Sequence, residues 1–341
     1  MSVMDWGKTP ERRALSEAIA QMCAADDPSQ ALIDAGIAWI GLDESLGGSG
    51  GVLADAAVAV RVLALQSSQM PAAETAIAAG WVLAVSGLQI PTTWLAPVLD
   101  PRDELTLTQH SSGNTINGIA RDVPALGSAD ILVVCVDTHV CVVKKNEIDI
   151  QWSTNVAGEG RGTLEFKETP VLEIAALPDR FTKLDCFARL AFARAIQLSG
   201  ALTAIRDLSV DYAKTREQFG KPIASLQVIA HYLAELAELA LIGEGAIATA
   251  IANPNSVNFA IAKSVTGRAA REATRIAHQI HGAMGMSQEY ALGAYTTRMW
   301  AWTEEAGRPE FWNTYLGTSF LAQADRNLWA SITDGMEGEQ A

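Results

Sequence analysis

Between residues 182 and 328 apolar side chains recur three and four positions apart, as in Leu198, Leu202, Ile205, Leu208 and Tyr212, through runs far longer than a strand. The pattern breaks at residues 220–222, 253–255 and 282–285, each rich in Gly, Pro or Asn. Long helices with one apolar face must bury those faces against each other. The C-terminal half is therefore expected to form a four-helix bundle, and everything upstream must dock on it.

The first hundred residues also read as helical, with apolar runs over 55–65 and 75–85 separated by Pro71, and with one glycine-rich loop at residues 47–51. Such a loop is more often a surface connection than a phosphate cradle. From Glu104 the period changes. Short β-branched segments, including residues 131–136, 140–143 and 162–166, are separated by turn residues. The expected fold class is mainly α with a small β domain: an N-terminal helical domain (1–103), a reduced β domain (104–175) and a C-terminal bundle (176–335).

A formal net charge of -14 argues against nonspecific binding to nucleic acid or to an anionic membrane, so a phosphate ligand must find local positive charge. Cys23, Cys135, Cys141 and Cys186 are scattered without metal-ligand spacing, and no metal site is expected. They read as reduced core thiols. With no apolar stretch long enough to span a bilayer, the chain is expected to be cytoplasmic.

At the first break, Gly220 and Pro222 are expected to stop one helix and Ser225 to cap the next. Such a corner would present Arg216, Phe219 and Gln227 together. A nucleotide diphosphate could use a guanidinium, an aromatic face and an amide through phosphate contacts, stacking and hydrogen bonding. The alternative is architectural: a helix C-terminal cation and an aromatic plug.

The segment Arg216-Glu-Gln-Phe219-Gly220-Lys-Pro222-Ile223 resembles the Arg-x-x-Phe-Gly-x-x-Ile stretch of the acyl-CoA dehydrogenase family. Downstream, Gln279-Ile-His281-Gly282-Ala283-Met-Gly285 is similar to the family's Gln-x-x-Gly-Gly-x-Gly stretch, with Ala283 replacing the second Gly. The resemblance extends more weakly over nearly the whole chain. It implies helical, β and helical domains in that order, FAD as cofactor and an acyl-CoA as substrate. It assigns Arg216 to the flavin pyrophosphate, Phe219 to the flavin or adenine, and Gln227 and Gln279 to polar edges. Gly282 and Gly285 would allow close backbone approach.

The family's desaturation needs a carboxylate in a dry site, its pKa raised by burial, to remove the proton alpha to the thioester. One family position for it falls near Ala306, where a one-residue shift makes Glu305 the base. The other falls at residues 187–191, which contain no acid. The β domain also lacks the family's flavin-facing loop, with residues 109–113 standing where it would be. A chain that keeps what it lends and lacks what it uses itself resembles one subunit of a bacterial heteromeric acyl-CoA dehydrogenase. The implied partner is a second such chain in a heterotetramer or similar assembly. Heteromeric members are associated with bulky acyl groups such as steroid side-chain thioesters, beside the fatty acyl groups of the wider family. The alternatives are a self-sufficient homo-oligomer with Glu305 as base, and a noncatalytic subunit that holds a partner's FAD. Trp300, Trp302, Trp312 and Trp329 are candidates for an acyl pocket or for core.

Overall fold

The computed structural model describes residues 6–111 and 113–322. Helix α1 (Pro10–Met22) starts at Thr9, whose side chain accepts from the Arg12 N–H, and α2 (Pro28–Asp34) starts at Asp27 in the same way. Helix α3 (Leu53–Leu65) is buried over most of its surface, so it carries the core of the N-terminal part. The Asp55 carboxylate accepts the Val52 N–H at the start of α3 and binds Arg12 Nε at 2.7 Å. The chain's own acid thus occupies the helix end after the glycine-rich loop. A Cβ on Gly48 would lie 2.4 Å from the Leu42 backbone, so the loop is a packed corner rather than a cradle.

Past Pro71 the chain winds as a π-helix (Ala73–Ala79) that continues into α4 (Gly80–Val85). Glu74, in the first turn of this wide segment, is buried. Interruptions of this kind concentrate at functional positions.

The middle domain holds two four-stranded sheets. One has the order β1 (Leu95–Val98), β4 (Ile131–Val136), β5 (His139–Lys144), β8 (Glu173–Ala176), with β1 parallel to β4. The other is antiparallel, in the order β2 (Glu104–His110), β3 (Gly113–Pro124), β7 (Gly160–Pro170), β6 (Asp149–Thr154). Inward residues of both, such as Val134, Val142, Ile116 and Phe166, belong to one apolar core. Strand β1 begins before residue 104, in a segment expected to be helical. Of residues 109–113, Gln109, His110 and Gly113 lie where β2 turns into β3. The loop that faces the bundle is instead the one between β1 and β2.

Helix α5 (Lys183–Thr215) opens with a reciprocal cap between Thr182 and Asp185 and is buried almost all round through Thr203. It forms the spine against which α3, α6 (Gln227–Ala252), α7 (Ser256–His281) and α8 (Leu292–Glu304) pack, and α9 (Pro309–Ala322) packs on α7. The C-terminal part has five helices rather than four among the described residues. No described helix is long and apolar enough to cross a membrane, and no described cluster of side chains could hold a metal ion. Cys135, Cys141 and Cys186 are buried free thiols, and Cys23 is partly buried.

Candidate active site

The α5–α6 corner differs from a simple helix stop. Helix α5 ends at Thr215, five residues before Gly220, and residues 217–222 form a small antiparallel hairpin. Phe219 and Gly220 sit at its turn with φ of 54° and 75°. Two successive left-handed residues suit the twist of a tight hairpin, but an aromatic there is strained. Phe219 is 87 % exposed at this turn. Ser225 donates to the Pro222 carbonyl and does not cap α6; that helix begins at Gln227 after Leu226, with no side-chain cap. Arg216 and Gln227 are exposed, and among the described residues Lys214, Arg216 and Lys221 form no ion pair. In a chain of net charge -14 this corner is a local cluster of uncommitted cations.

The second glycine segment lies at the same end of the bundle. His281, last residue of α7, stacks on Tyr212 of α5 with ring centroids 4.4 Å apart. Its Nδ1–H donates to the Ala277 carbonyl at 2.8 Å, and Nε2 accepts from the Tyr290 hydroxyl at 3.2 Å. Burial pushes the His281 pKa down, so the ring is neutral at pH 7. His281 thereby joins the two glycine-containing segments, leaving Gln279 and Ala283 exposed. The glycines divide their work. Nothing lies within 4 Å of a Cβ built on Gly282, at φ 57°, whereas one on Gly285 would meet His281 Cβ at 2.9 Å and Leu292 Cδ2 at 3.0 Å. Gly282 faces open space; Gly285 is required by the chain's own packing.

Glu305, just past α8, is held on both oxygens. Arg161 Nη2 donates to Oε1 at 2.7 Å and to Oε2 at 2.9 Å, Asn155 Nδ2 donates to Oε1 at 2.9 Å, and Arg194 Nε lies 2.9 Å from Oε2. Arg194 also binds Glu74 at 2.6 Å, while Glu159 binds Arg161, Arg298 and the Trp302 indole. Three glutamates and three arginines, drawn from all three domains, make one neutral lattice. Burial alone would raise the Glu305 pKa, but Arg194 and Arg161 outweigh it and the net shift is downward. A carboxylate so held resists protonation. This is opposite to the raised pKa expected of a proton-abstracting base, and the physical reason is the pair of guanidiniums.

At residues 187–191 stands Arg189, its guanidinium carbon 4.7 Å from the Trp81 ring and 5.4 Å from that of Phe259, with burial pushing its pKa down to about 9. No acid occupies that position. Trp302 and Trp312 are buried core, Trp300 is half exposed, and Trp329 lies outside the described residues. Charged residues inside an apolar run, Arg189 and Arg194, were the sequence signal for these buried sites.

Above Glu305 a cavity of about 650 Å³ opens between the middle domain and the bundle, walled by Leu99, Phe187, Leu190, Trp300 and Ala306 among others. Residues 184–311 match the family described as acyl-CoA dehydrogenase, C-terminal domain. Acyl-CoA dehydrogenase IpdE2 of Mycolicibacterium smegmatis is 27% identical over 80% of this chain and 81% of its own. The chain is similar to acyl-CoA dehydrogenases over most of its length, and residues 184–311 match their C-terminal domain. Among solved acyl-CoA dehydrogenase structures, the ChsE4–ChsE5 complex of Mycobacterium tuberculosis superposes with a TM-score of 0.82 at 20% identity, covering 94% of this chain and 99% of that one. Butyryl-CoA dehydrogenase of Megasphaera elsdenii gives 0.83 at 19%, covering 92% and 98%. The helical–β–helical layout is thus the fold of these acyl-CoA dehydrogenases.

Members of the family use FAD. The cationic corner, the displayed Phe219 and the open side of Gly282 fit the diphosphate end of such a molecule.

Proposed function

We propose that this chain serves the alpha,beta-desaturation of an acyl-CoA thioester as one subunit of a cytoplasmic, FAD-dependent hetero-oligomer. Its partner is a second acyl-CoA dehydrogenase-like chain that seats most of the flavin and supplies the proton-abstracting carboxylate. FAD, when bound, accepts the hydride from the beta carbon. This chain's part is to bind and orient. Arg216 pairs with the pyrophosphate, Phe219 lies on the flavin or adenine, Gln227 and Gln279 hold polar edges, and Gly282 lets the backbone approach. The observation that carries the reading is a contrast in one chain: the residues suited to a diphosphate are displayed and uncommitted, while Glu305 is neutralised by Arg161 and Arg194.

The same neutralisation favours a partner-supplied base over a self-sufficient enzyme with Glu305 as base. The test is the visible absorption spectrum of the chain purified alone and after co-expression with its genomic neighbour. The expected result is a colourless single chain that carries flavin only with its partner, and about a tenfold or greater loss of FAD retention in Arg216→Ala. A flavin-loaded, active single chain inactivated by Glu305→Gln would overturn it.

A further inference from the structure

The β3 wall of the cavity is shaped by an irregularity. The pairing of β3 with β7 loses register between Ala120 and Val123, leaving Arg121 and Asp122 as a bulge with Asp122 at φ 52°. A bulge bends its strand and re-aims side chains, and a non-glycine residue in this region stores backbone strain. The Arg121 N–H donates to Asp103 Oδ1 at 3.0 Å, and Arg121, Asp122 and Asp103 all line the cavity. Among the described residues, the Arg121 guanidinium, the Asp122 carboxylate and Asp103 Oδ2 take part in no hydrogen bond.

The charges select a ligand. Five carboxylates and four guanidiniums line the cavity, and those of Glu305, Arg161 and Arg194 are already spent on one another. Asp100 and Arg102 likewise bind each other, and Glu304 binds Arg271, so an entering anion meets the carboxylates of Asp103 and Asp122 and an entering cation meets Arg121. A neutral group that donates and accepts satisfies both, and the apolar walls of Val98, Leu99, Phe187 and Leu190 suit a hydrocarbon body. Burial pushes the Asp103 pKa up to about 6, against the hydrogen bond from the Arg121 backbone; Asp100 adds to the rise, and Lys183 and Arg102 oppose it. At neutral pH Asp103 remains an acceptor.

We propose that this cavity binds a neutral, largely apolar molecule through a hydroxyl group held between the Asp103 carboxylate and the Arg121 guanidinium. The site is separate from the exposed corner assigned to the diphosphate and needs no flavin.

Calorimetric titration of the purified protein with 2-naphthaleneethanol, its methyl ether and 2-naphthaleneacetate tests this. The alcohol is expected to bind on the order of tenfold more tightly than the ether or the acetate, with the preference shrinking below about pH 6. Asp103→Ala and Arg121→Ala should each erase the preference. Arg121 is exposed, so its variant reports on binding even if the Asp103 change disturbs folding. Equal affinity for alcohol and ether, absence of saturable alcohol binding at millimolar concentration, or a preference that survives both substitutions would overturn the assignment. FAD content of the partner complex should not change in either variant; its loss in Arg216→Ala tests the other proposal independently.

Discussion

Replacing Glu305 by Gln removes the negative charge between Arg161 and Arg194 while keeping the side chain's shape and the Asn155 contact. Arg194 retains Glu74 and Arg161 retains Glu159, but three arginines then share two glutamates in a setting where the Arg194 side chain is 1% exposed. Breaking one member of a buried ion pair costs about 3–5 kcal/mol, because the remaining charge stays desolvated. At about 2 °C per kcal/mol for a chain of this size, the melting temperature should fall by roughly 6–10 °C. The lowered Glu305 pKa fixes the direction of the pH dependence. Its stabilisation is complete above the unfolded carboxylate pKa and disappears as pH falls through the folded value. Glu305→Gln should therefore be most destabilised relative to the unmodified protein near neutral pH, and the two should converge in acid. Calorimetric unfolding between pH 3 and pH 8 measures this. A melting temperature unchanged at pH 7, with turnover abolished in the partner complex, would refute the structural role and restore Glu305 as base.

Phe219→Gly relieves a left-handed aromatic at about 1–2 kcal/mol and costs about 0.5–1 kcal/mol in unfolded-chain entropy, so denaturant titration should show a small net gain, with FAD retention in the partner complex reduced. Gly285→Ala should destabilise by about 1–3 kcal/mol, since His281 and Leu292 must both move, as thermal unfolding would show. Lys263, wholly buried, donates to the Trp302 and Thr303 carbonyls at 2.8 and 2.7 Å, and burial lowers its pKa to about 7. A base depressed in the folded state imposes a penalty that is full below the folded pKa and fades as pH rises toward the unfolded value. Stability measured between pH 7 and pH 9 should gain from this group as pH rises, and Lys263→Met should lose that component of the slope.

Much of the architecture was legible because hydrophobic period is a local property. The helices from 183 onward and the strands at 131–136 and 140–143 announce themselves in windows of a few residues. Strand β1 did not, since Leu-Ala-Pro-Val is too short to show alternation and takes its identity from pairing with β4. The α5–α6 corner was placed correctly but misread in detail: Gly220 serves a hairpin turn instead of a helix stop, a choice made by the pairing of 217–218 with 221–222. The surroundings of Glu305 were legible only through Arg194, a charge inside an apolar run, and the sequence did not join it to Glu305. Its partners Asn155, Arg161 and Arg194 lie more than a hundred positions away, and nothing in the residues beside it encodes them.

The lattice that neutralises Glu305 also bears on how the chain assembles. Glu74 comes from the N-terminal part, Glu159 and Arg161 from the hairpin of β6 and β7, and Arg194, Arg298 and Glu305 from the bundle. The hairpin carries one charge of each sign, but the N-terminal part brings a lone carboxylate and the bundle one guanidinium in excess, so either of these produced as a fragment would expose an ion that only the other can satisfy. Contacts across such sequence distances form after the intervening loops have closed, which places the lattice among the last interactions to appear. Its completion marks the joining of three otherwise separate modules, and a chain missing the N-terminal part would hold an unmatched guanidinium where the junction should close.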